Sequence, residues 1–136
     1  MVSENNILVR TEGLVRHFTM GSHTVRAVDG VSLSIPRGKM VAITGPSGCG
    51  KTTLLYLLGT LEQPTSGKVL VDGAEVSTLS GREAVEYRRT KVGFVFQNYY
   101  LVPNLSALEN VMLPLDLRGV PRGQQKARAE ELLMGV

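Results

Sequence analysis

The chain has 136 residues, the size of one ordinary domain, which argues against a multi-domain enzyme. Hydrophobic residues make up 43% and charged residues 20%, a balance typical of globular proteins and not of disordered or fibrous chains. The formal net charge of +3 is too small to indicate a nucleic-acid-binding protein, and the single cysteine excludes an intrachain disulfide and a metal–thiolate cluster.

The sequence shows neither a secretory signal nor a membrane span. The N-terminus, Met1–Asn6, is polar and has no basic region ahead of an apolar run. The most apolar stretch, Leu54–Leu61, is far shorter than the ~18 residues that a membrane span needs. We therefore expect a cytoplasmic protein that is soluble by itself and that meets a membrane only through a partner.

The first third of the chain is predicted to form β-structure. Ile7–Val9 and Val31–Ile35 are short runs of β-branched or alternating residues. Met40–Thr44 is almost wholly apolar, which is typical of a strand buried on both faces. The glycine-rich segment Gly45–Gly50 follows, and the pattern then predicts a helix over Lys51–Leu58 that stops at Gly59.

Strands and helices alternate in the rest of the chain. Lys68–Asp72 and Val92–Phe96 are predicted strands, the second one buried. Capping-box spacing predicts two helices, one that begins at Ser80 with Glu83 and one that begins at Ser106 with Glu109. The pattern of polar and apolar residues over Arg122–Met134 predicts an amphipathic helix. The alternation indicates an α/β fold with a mostly parallel central sheet and an N-terminal antiparallel β portion.

The segment Gly45-Pro46-Ser47-Gly48-Cys49-Gly50-Lys51-Thr52 carries the strongest chemical signal. It fits the phosphate-loop pattern G-x-x-x-x-G-K-[ST] between a predicted strand and a predicted helix. Glycines let the backbone curl so that successive N–H groups point inward, and the helix adds the positive end of its dipole. Lys51 is expected to reach the β- and γ-phosphates and Thr52 to ligate Mg²⁺. An ordinary glycine-rich turn would not need the Lys-Thr pair.

Cys49 lies within this loop and has two interpretations. It is a small filler residue, or it is a reactive thiol, because a helix N-terminus and a neighbouring lysine both favour the thiolate. Alkylation that left nucleotide binding unchanged would contradict the second interpretation.

The motifs together resemble the ATP-binding subunits of ABC transporters. The resemblance covers nearly the whole chain and rests on the segment from Val28 to Ile35, the phosphate loop with Thr53, the turn Pro64–Gly67, and Val92–Gln97. The stretch Leu101–Val111 resembles the branch that contains lipoprotein-releasing, macrolide-export and cell-division complexes. The fold implied is that of a P-loop NTPase.

The resemblance implies roles for further residues. Phe18 is expected to stack on the adenine of ATP, with His17 as the alternative, and a core position is the structural alternative for Phe18. Gln97 is expected to ligate Mg²⁺ and to orient the attacking water, so that Lys51 and Gln97 serve catalysis. The phosphate loop through Thr53 is expected to bind ATP. The segment Leu79–Glu83 resembles the start of the ABC signature but precedes Gln97, whereas in the family the signature follows it.

The family's signature and Walker B segments do not follow Gln97 in the 39 remaining residues. We expect residues 1–97 to form the nucleotide-binding core and residues 98–136 to begin the helical subdomain. The implied partners are membrane-spanning permease subunits and a second copy of the full-length subunit, with no nucleic acid. The chain by itself is expected to be inactive, as a piece cut before Walker B. The alternatives are a non-transport ABC protein that gates a cell-division or repair assembly and a natural nucleotide-binding module without turnover.

Overall fold

The computed structural model describes residues 6–136, so most of the N-terminal segment used for the signal-peptide expectation, Met1–Asn5, lies outside the described residues. Two compact units divide the chain, one up to Arg88 and one from Arg89 to Val136. The boundary predicted after Gln97 concerns function and stays a prediction. The elements are β1 (Ile7–Met20), β2 (His23–Pro36), α1 (Lys51–Leu58), β3 (Ser66–Val71), β4 (Ala74–Glu75), α2 (Gly81–Lys91), α3 (Ala107–Leu117) and α4 (Arg122–Met134).

The first unit contains a four-stranded antiparallel sheet in the order β2-β1-β3-β4. Strands β1 and β2 form a hairpin in which Met20 pairs with His23, and Gly21 in the turn has a φ of +61°. A residue with a side chain is strained at that φ, so glycine suits this tight turn. The N-terminal antiparallel portion is confirmed, although each hairpin strand has 14 residues and is far longer than the short runs predicted from the sequence.

A buried threonine supports an irregularity of this hairpin. The register of β1 against β2 shifts between Thr11 and Leu14. The Thr11 hydroxyl donates to the Val31 carbonyl at 2.9 Å and accepts from the Leu33 N–H at 3.0 Å, while the side chain is only 1% exposed. The hydroxyl therefore satisfies backbone groups where the regular ladder is interrupted.

The core of the first unit lies between the sheet and helix α1. Six buried apolar side chains form it: Leu14, Val28, Leu54, Leu57, Val69 and Val76. Strands β1, β2 and β3 and helix α1 each contribute, so the helix that begins at the phosphate loop is anchored on the sheet. Gly59 follows the last residue of α1, which confirms the predicted helix and its end.

Two predicted strands are wrong. Residues 40–44 and 92–96 adopt no strand structure, and Met40 and Val95 are fully exposed. Among residues 6–136 the pairings are all antiparallel, so the mostly parallel central sheet is not formed in this part of the chain. A strand needs a neighbour that pairs with its backbone groups, and within the described residues none pairs with these two segments. Apolar composition indicated burial but could not supply the pairing partner.

In the second unit, the predicted capping box at Ser106 is confirmed. The Ser106 hydroxyl accepts from the Glu109 N–H at 3.3 Å, and the Ser106 N–H donates to the Glu109 carboxylate at 2.8 Å. The carboxylate also accepts from the Ser106 hydroxyl at 2.7 Å. The hydroxyl first, and then the backbone N–H, hold the pKa of Glu109 below its ordinary value. Helix α4 coincides with the prediction, from Arg122 to Met134.

Candidate nucleotide-binding site

The phosphate loop runs from Gly45 to Gly50, between the end of β2 and the start of α1, in the first unit. Three of its glycines have φ angles in the range that favours glycine: Gly45 at +154°, Gly48 at +77° and Gly50 at +91°. The loop is therefore curled, as the sequence predicted, through backbone conformations that other residues adopt only with strain.

Gly50 brings the loop against the sheet. A Cβ atom at this position would lie 1.9 Å from the carbonyl oxygen of Ala27 in β2. The same construction at Gly45 would place a Cβ 2.8 Å from the Cys49 sulfur. The glycines are thus required both for the turn and for the close approach of the loop backbone to its neighbours.

Helix α1 presents an uncapped N-terminus to this loop. Its N-cap residue is Gly50, no side chain of the described residues caps it, and its first turn contains no acidic residue. The first hydrogen bond of the helix joins the Leu54 N–H to the Gly50 carbonyl at 2.9 Å. The preceding N–H groups and the helix dipole together make this end of α1 attractive to an anion.

The Lys51 ammonium lies over the loop. Its Nζ atom contacts three loop groups, the carbonyl oxygens of Gly45 at 3.0 Å and Pro46 at 2.6 Å and the Cys49 sulfur at 3.7 Å. A full positive charge is therefore held within the curl of backbone that the glycines form. This is the position from which a lysine can reach a phosphate bound at the helix N-terminus.

The other loop residues are accessible. Pro46, Ser47 and Cys49 are exposed, as is Thr52, whereas Thr53 is half-buried. Thr52 belongs to the first turn of α1, directly after Lys51, and is exposed. A hydroxyl ligand of this kind, completed by phosphate oxygens and water, suits the oxygen coordination that Mg²⁺ prefers, so the residues present fit the ion.

Phe18 lies in β1, two residues before the hairpin turn, and is half-buried. The guanidinium of Arg16 covers its ring, with Cζ 4.4 Å from the ring centroid. His17, the alternative stacking residue, has its ring nitrogen Nε2 3.0 Å from the Asp29 carboxylate. One face of the Phe18 ring is therefore covered by Arg16, and the His17 imidazole is engaged by an acidic neighbour.

Gln97 is exposed and belongs to the second unit, in a turn after the irregular segment 92–96. Aromatic residues flank this turn in the sequence. The Phe94 ring stacks on the Phe96 ring with centroids 5.4 Å apart, and the Tyr100 ring contacts Phe96 edge to face with centroids 4.9 Å apart. The expected role of Gln97 as a Mg²⁺ ligand and water-orienting group stays a prediction.

Sequence reasoning missed several residues that shape the two units. Ala27 receives the loop at Gly50, and Arg16 covers Phe18 and pairs with Glu62 at 2.8 Å. Asn110 binds the segment before α3 through both ends of its amide. The Arg16-x-Phe18 spacing places both side chains on one face only if the segment is a strand, and the predicted strand ended at Val9. Glu62 and Ala27 are near these residues only after folding.

Within residues 6–136, no three His, Cys, Asp or Glu side chains are grouped closely enough to hold a metal ion. None of the helices in that range combines the length and the apolar character that crossing a bilayer demands.

Comparison with known proteins identifies the family. The model of the ABC transporter family matches residues 28–136, so the chain belongs to the ABC transporter family. An uncharacterized ABC transporter ATP-binding protein of Thermotoga maritima is 51% identical over 116 residues, which are 85% of this chain and 50% of that protein. The chain spans about half or less of the length of the first curated relatives it matches.

Two relatives carry more specific names. The lipoprotein-releasing system ATP-binding protein LolD of Rhodopseudomonas palustris is 40% identical over 96% of this chain and 56% of its own length. The macrolide export ATP-binding/permease protein MacB of Vibrio parahaemolyticus is 42% identical over 95% of this chain and 20% of its own length. The resemblance drawn from the sequence motifs is thereby confirmed.

A solved structure confirms the fold. The ATP-binding cassette MJ0796, in a dimeric post-hydrolysis state bound to ADP and Pi, matches with a TM-score of 0.85 and 39% identity. The match covers 93% of this chain and 56% of that one. The chain thus has the fold of the corresponding part of an ABC cassette, a P-loop NTPase.

Proposed function

We propose that this chain binds ATP with Mg²⁺ as the nucleotide-binding part of an ABC transporter ATP-binding subunit. The observation that carries the proposal is the position of Lys51, whose ammonium lies over the curled loop at the uncapped N-terminus of α1. A positive charge beside the uncapped N–H groups of a helix N-terminus suits a triphosphate. The family and the cassette fold support the same assignment.

Each part of the nucleotide has a proposed contact. The loop from Gly45 to Gly50 and the first turn of α1, including Thr53, hold the phosphates, and Lys51 neutralises the β- and γ-phosphates. Thr52 and Gln97 are the proposed Mg²⁺ ligands; the bound ion would neutralise phosphate charge. Phe18 stacks on the adenine, because a phenyl ring offers a flat apolar surface to a base.

A binding titration of Lys51→Ala tests the proposal. We expect Lys51→Ala to weaken ATP binding by about tenfold or more, because the variant removes a charge-assisted contact to phosphate. Lys126→Ala is the matched control, since Lys126 is an exposed lysine of α4 paired with Glu130 at 3.7 Å. Unchanged ATP affinity in Lys51→Ala, in a variant that folds as the parent does, would contradict the phosphate-loop assignment.

We further propose that the 136-residue chain binds ATP without turning it over. Hydrolysis requires a group that activates water, and the family supplies this group from the Walker B segment, which the sequence of 136 residues does not include. Phosphate release from the chain should equal the background, whereas a longer form with the Walker B and signature segments should release phosphate. If the 136-residue chain releases phosphate above the background and Lys51→Ala abolishes that release, this proposal is contradicted.

The role proposed for the whole subunit is to couple ATP binding to movement of membrane-spanning permease subunits, in export or extraction. The names of the relatives LolD and MacB support the direction, and the dimeric cassette supports a homodimer of the full-length form. The subunit would then be cytoplasmic and peripheral to the membrane, with residues 98–136 beginning the subdomain that meets the permease. The test is the amount of full-length subunit recovered in the membrane fraction. We expect the subunit to co-purify with its permease there and to leave that fraction when the permease gene is deleted.

A further inference from the structure

Arg16 and Phe18 form a cation–aromatic pair on strand β1. The two residues are two positions apart, so their side chains are on the same face of the strand. The Arg16 Cζ lies 4.4 Å from the centroid of the Phe18 ring, within the distance at which a guanidinium is attracted to an aromatic face. One face of the Phe18 ring is therefore already occupied.

An ion pair holds the guanidinium in place. Arg16 Nη2 is 2.8 Å from Glu62 Oε1, and both side chains are largely shielded, at 25% and 29% exposure. The same carboxylate oxygen accepts the N–H of Gln63 at 3.1 Å, which orients it. Arg16 Nε is buried and has no hydrogen-bond partner among residues 6–136, so Glu62 and the Phe18 ring are the contacts that define the guanidinium position.

The segment that carries Glu62 connects this pair to the phosphate loop. Glu62 follows α1, the helix whose N-terminus forms the loop. Next to the ion pair, the Thr65 N–H donates to the Val15 carbonyl at 2.8 Å, and the Thr65 hydroxyl accepts the His17 N–H at 3.0 Å. The strand on either side of Arg16 is thus tied to the turn beyond α1, and the position of Phe18 relative to α1 is set by these contacts.

We propose that Arg16 is a positioning residue for the nucleotide base: held by Glu62, it fixes the Phe18 ring and leaves the opposite ring face for the base. The inference rests on the proposed function, in which Phe18 stacks on adenine. A base on that face would complete a stack of guanidinium, phenyl ring and purine. Because Glu62 balances the charge of Arg16, Arg16 contributes to binding of the base and not of the phosphates. Lys51 binds the phosphates.

The test compares ATP with inorganic tripolyphosphate, which has the phosphates but no base. The affinity ratio of the two ligands, measured in the 136-residue chain with Mg²⁺, isolates the contribution of the base. We expect Arg16→Ala to weaken ATP binding about fivefold with unchanged tripolyphosphate binding, and Arg16→Lys to retain part of the ratio. Arg10→Ala, which removes another exposed arginine of β1 paired with Glu12, is the matched control and should leave the ratio unchanged.

A spectroscopic readout follows the stacking itself. The chain contains no tryptophan, so Phe18→Trp introduces a single reporter at the proposed base site. ATP should quench its fluorescence and tripolyphosphate should not. Addition of Arg16→Ala to the Phe18→Trp chain should reduce the quenching at saturating ATP, because the ring is no longer held for stacking.

The outcomes distinguish a failure of the role of Arg16 from a failure of the base site at Phe18. If Phe18→Leu lowers the affinity ratio but Arg16→Ala does not, the role of Arg16 is overturned and the base site stands. If Phe18→Leu leaves the ratio unchanged, the base site of the proposed function is wrong, and the role of Arg16 with it. Equal weakening of both ligands by Arg16→Ala would show a general structural role and overturn the inference. Should Arg16→Ala not fold, Glu62→Gln, which keeps the side-chain shape, must lower the ratio about twofold for the inference to stand.

Discussion

A Cβ atom built on Gly50 would lie 1.9 Å from the carbonyl oxygen of Ala27, so the phosphate loop and strand β2 meet at a distance that only glycine permits. The φ of +91° at Gly50 imposes the same requirement independently. Because the obstructing atom belongs to the backbone of a paired strand, it cannot move aside as a side-chain end would.

Gly50→Ala should therefore destabilise the chain and weaken ATP binding together. We expect a loss of roughly 3 kcal/mol or more in the free energy of unfolding, from the steric conflict added to the strained φ. Gly48→Ala is the control, since Gly48 has a φ of +77° but open space around a built Cβ, and it should cost only about 1–2 kcal/mol. Urea unfolding measures both variants, and equal losses would contradict the steric argument.

Thr11→Val tests the buried hydroxyl that supports the irregular register of the hairpin. The variant keeps the shape but leaves the Val31 carbonyl and the Leu33 N–H without their partner. We expect a loss of about 2 kcal/mol in the free energy of unfolding, because buried backbone groups would lose their hydrogen bonds. Thr19→Val, at an exposed position of the same strand, should change the free energy by less than about 0.5 kcal/mol. A negligible effect at Thr11 would contradict the role of the hydroxyl in satisfying these two backbone groups.

Asn110 joins α3 to the segment before it. Its Oδ1 atom accepts the Val102 N–H at 2.8 Å, and its Nδ2 atom donates to the carbonyls of Val102, Leu105 and Ser106 at 3.0–3.2 Å. Asn110→Ala should increase amide hydrogen exchange at Val102 and Leu105 by about tenfold, because their segment loses its main attachment. Asn104→Ala, at an exposed position of that segment, is the control. Exchange that rises equally in both variants would contradict the role of Asn110.

The capping box of α3 should respond to acid. Hydrogen bonds from Ser106 lower the pKa of Glu109, so the folded state favours the carboxylate. The stability from this pair is present above the ordinary glutamate pKa of about 4.3 and is lost as the pH falls through the lower folded value. Ser106→Ala should raise the pKa of Glu109 towards its ordinary value, which a titration of the carboxyl carbon by NMR detects. An unchanged pKa would show that the Ser106 hydroxyl is not its main cause.

Local sequence was enough to predict helix α1 and the curled loop before it. The phosphate-loop pattern over residues 45–52 predicted the curl, and helix α1 begins and ends where the pattern indicated. In the second unit, the capping box at Ser106 and helix α4 were also predicted correctly. In each case the decisive interactions join residues within about four positions, so the information is contiguous in the chain.

The predicted strands over residues 40–44 and 92–96 failed for the opposite reason. Their apolar composition was read correctly, but a strand exists only when another segment offers its backbone groups, and pairing is a property of the folded chain. The hairpin of β1 and β2 is the opposite case. Its polar residues did not predict a strand beyond the short apolar runs, yet pairing between the two segments extends each strand to 14 residues.

The sequence by itself predicted the chemistry of the loop: the glycines, the lysine and the threonine are contiguous, and their spacing is typical of an anion site. Only the tertiary structure decided what surrounds that site. Ala27 against Gly50 and Glu62 against Arg16 are contacts between residues 23 and 46 positions apart, made when the core packs α1 on the sheet. Such contacts depend on the folded path of the backbone, and no local pattern encodes that path.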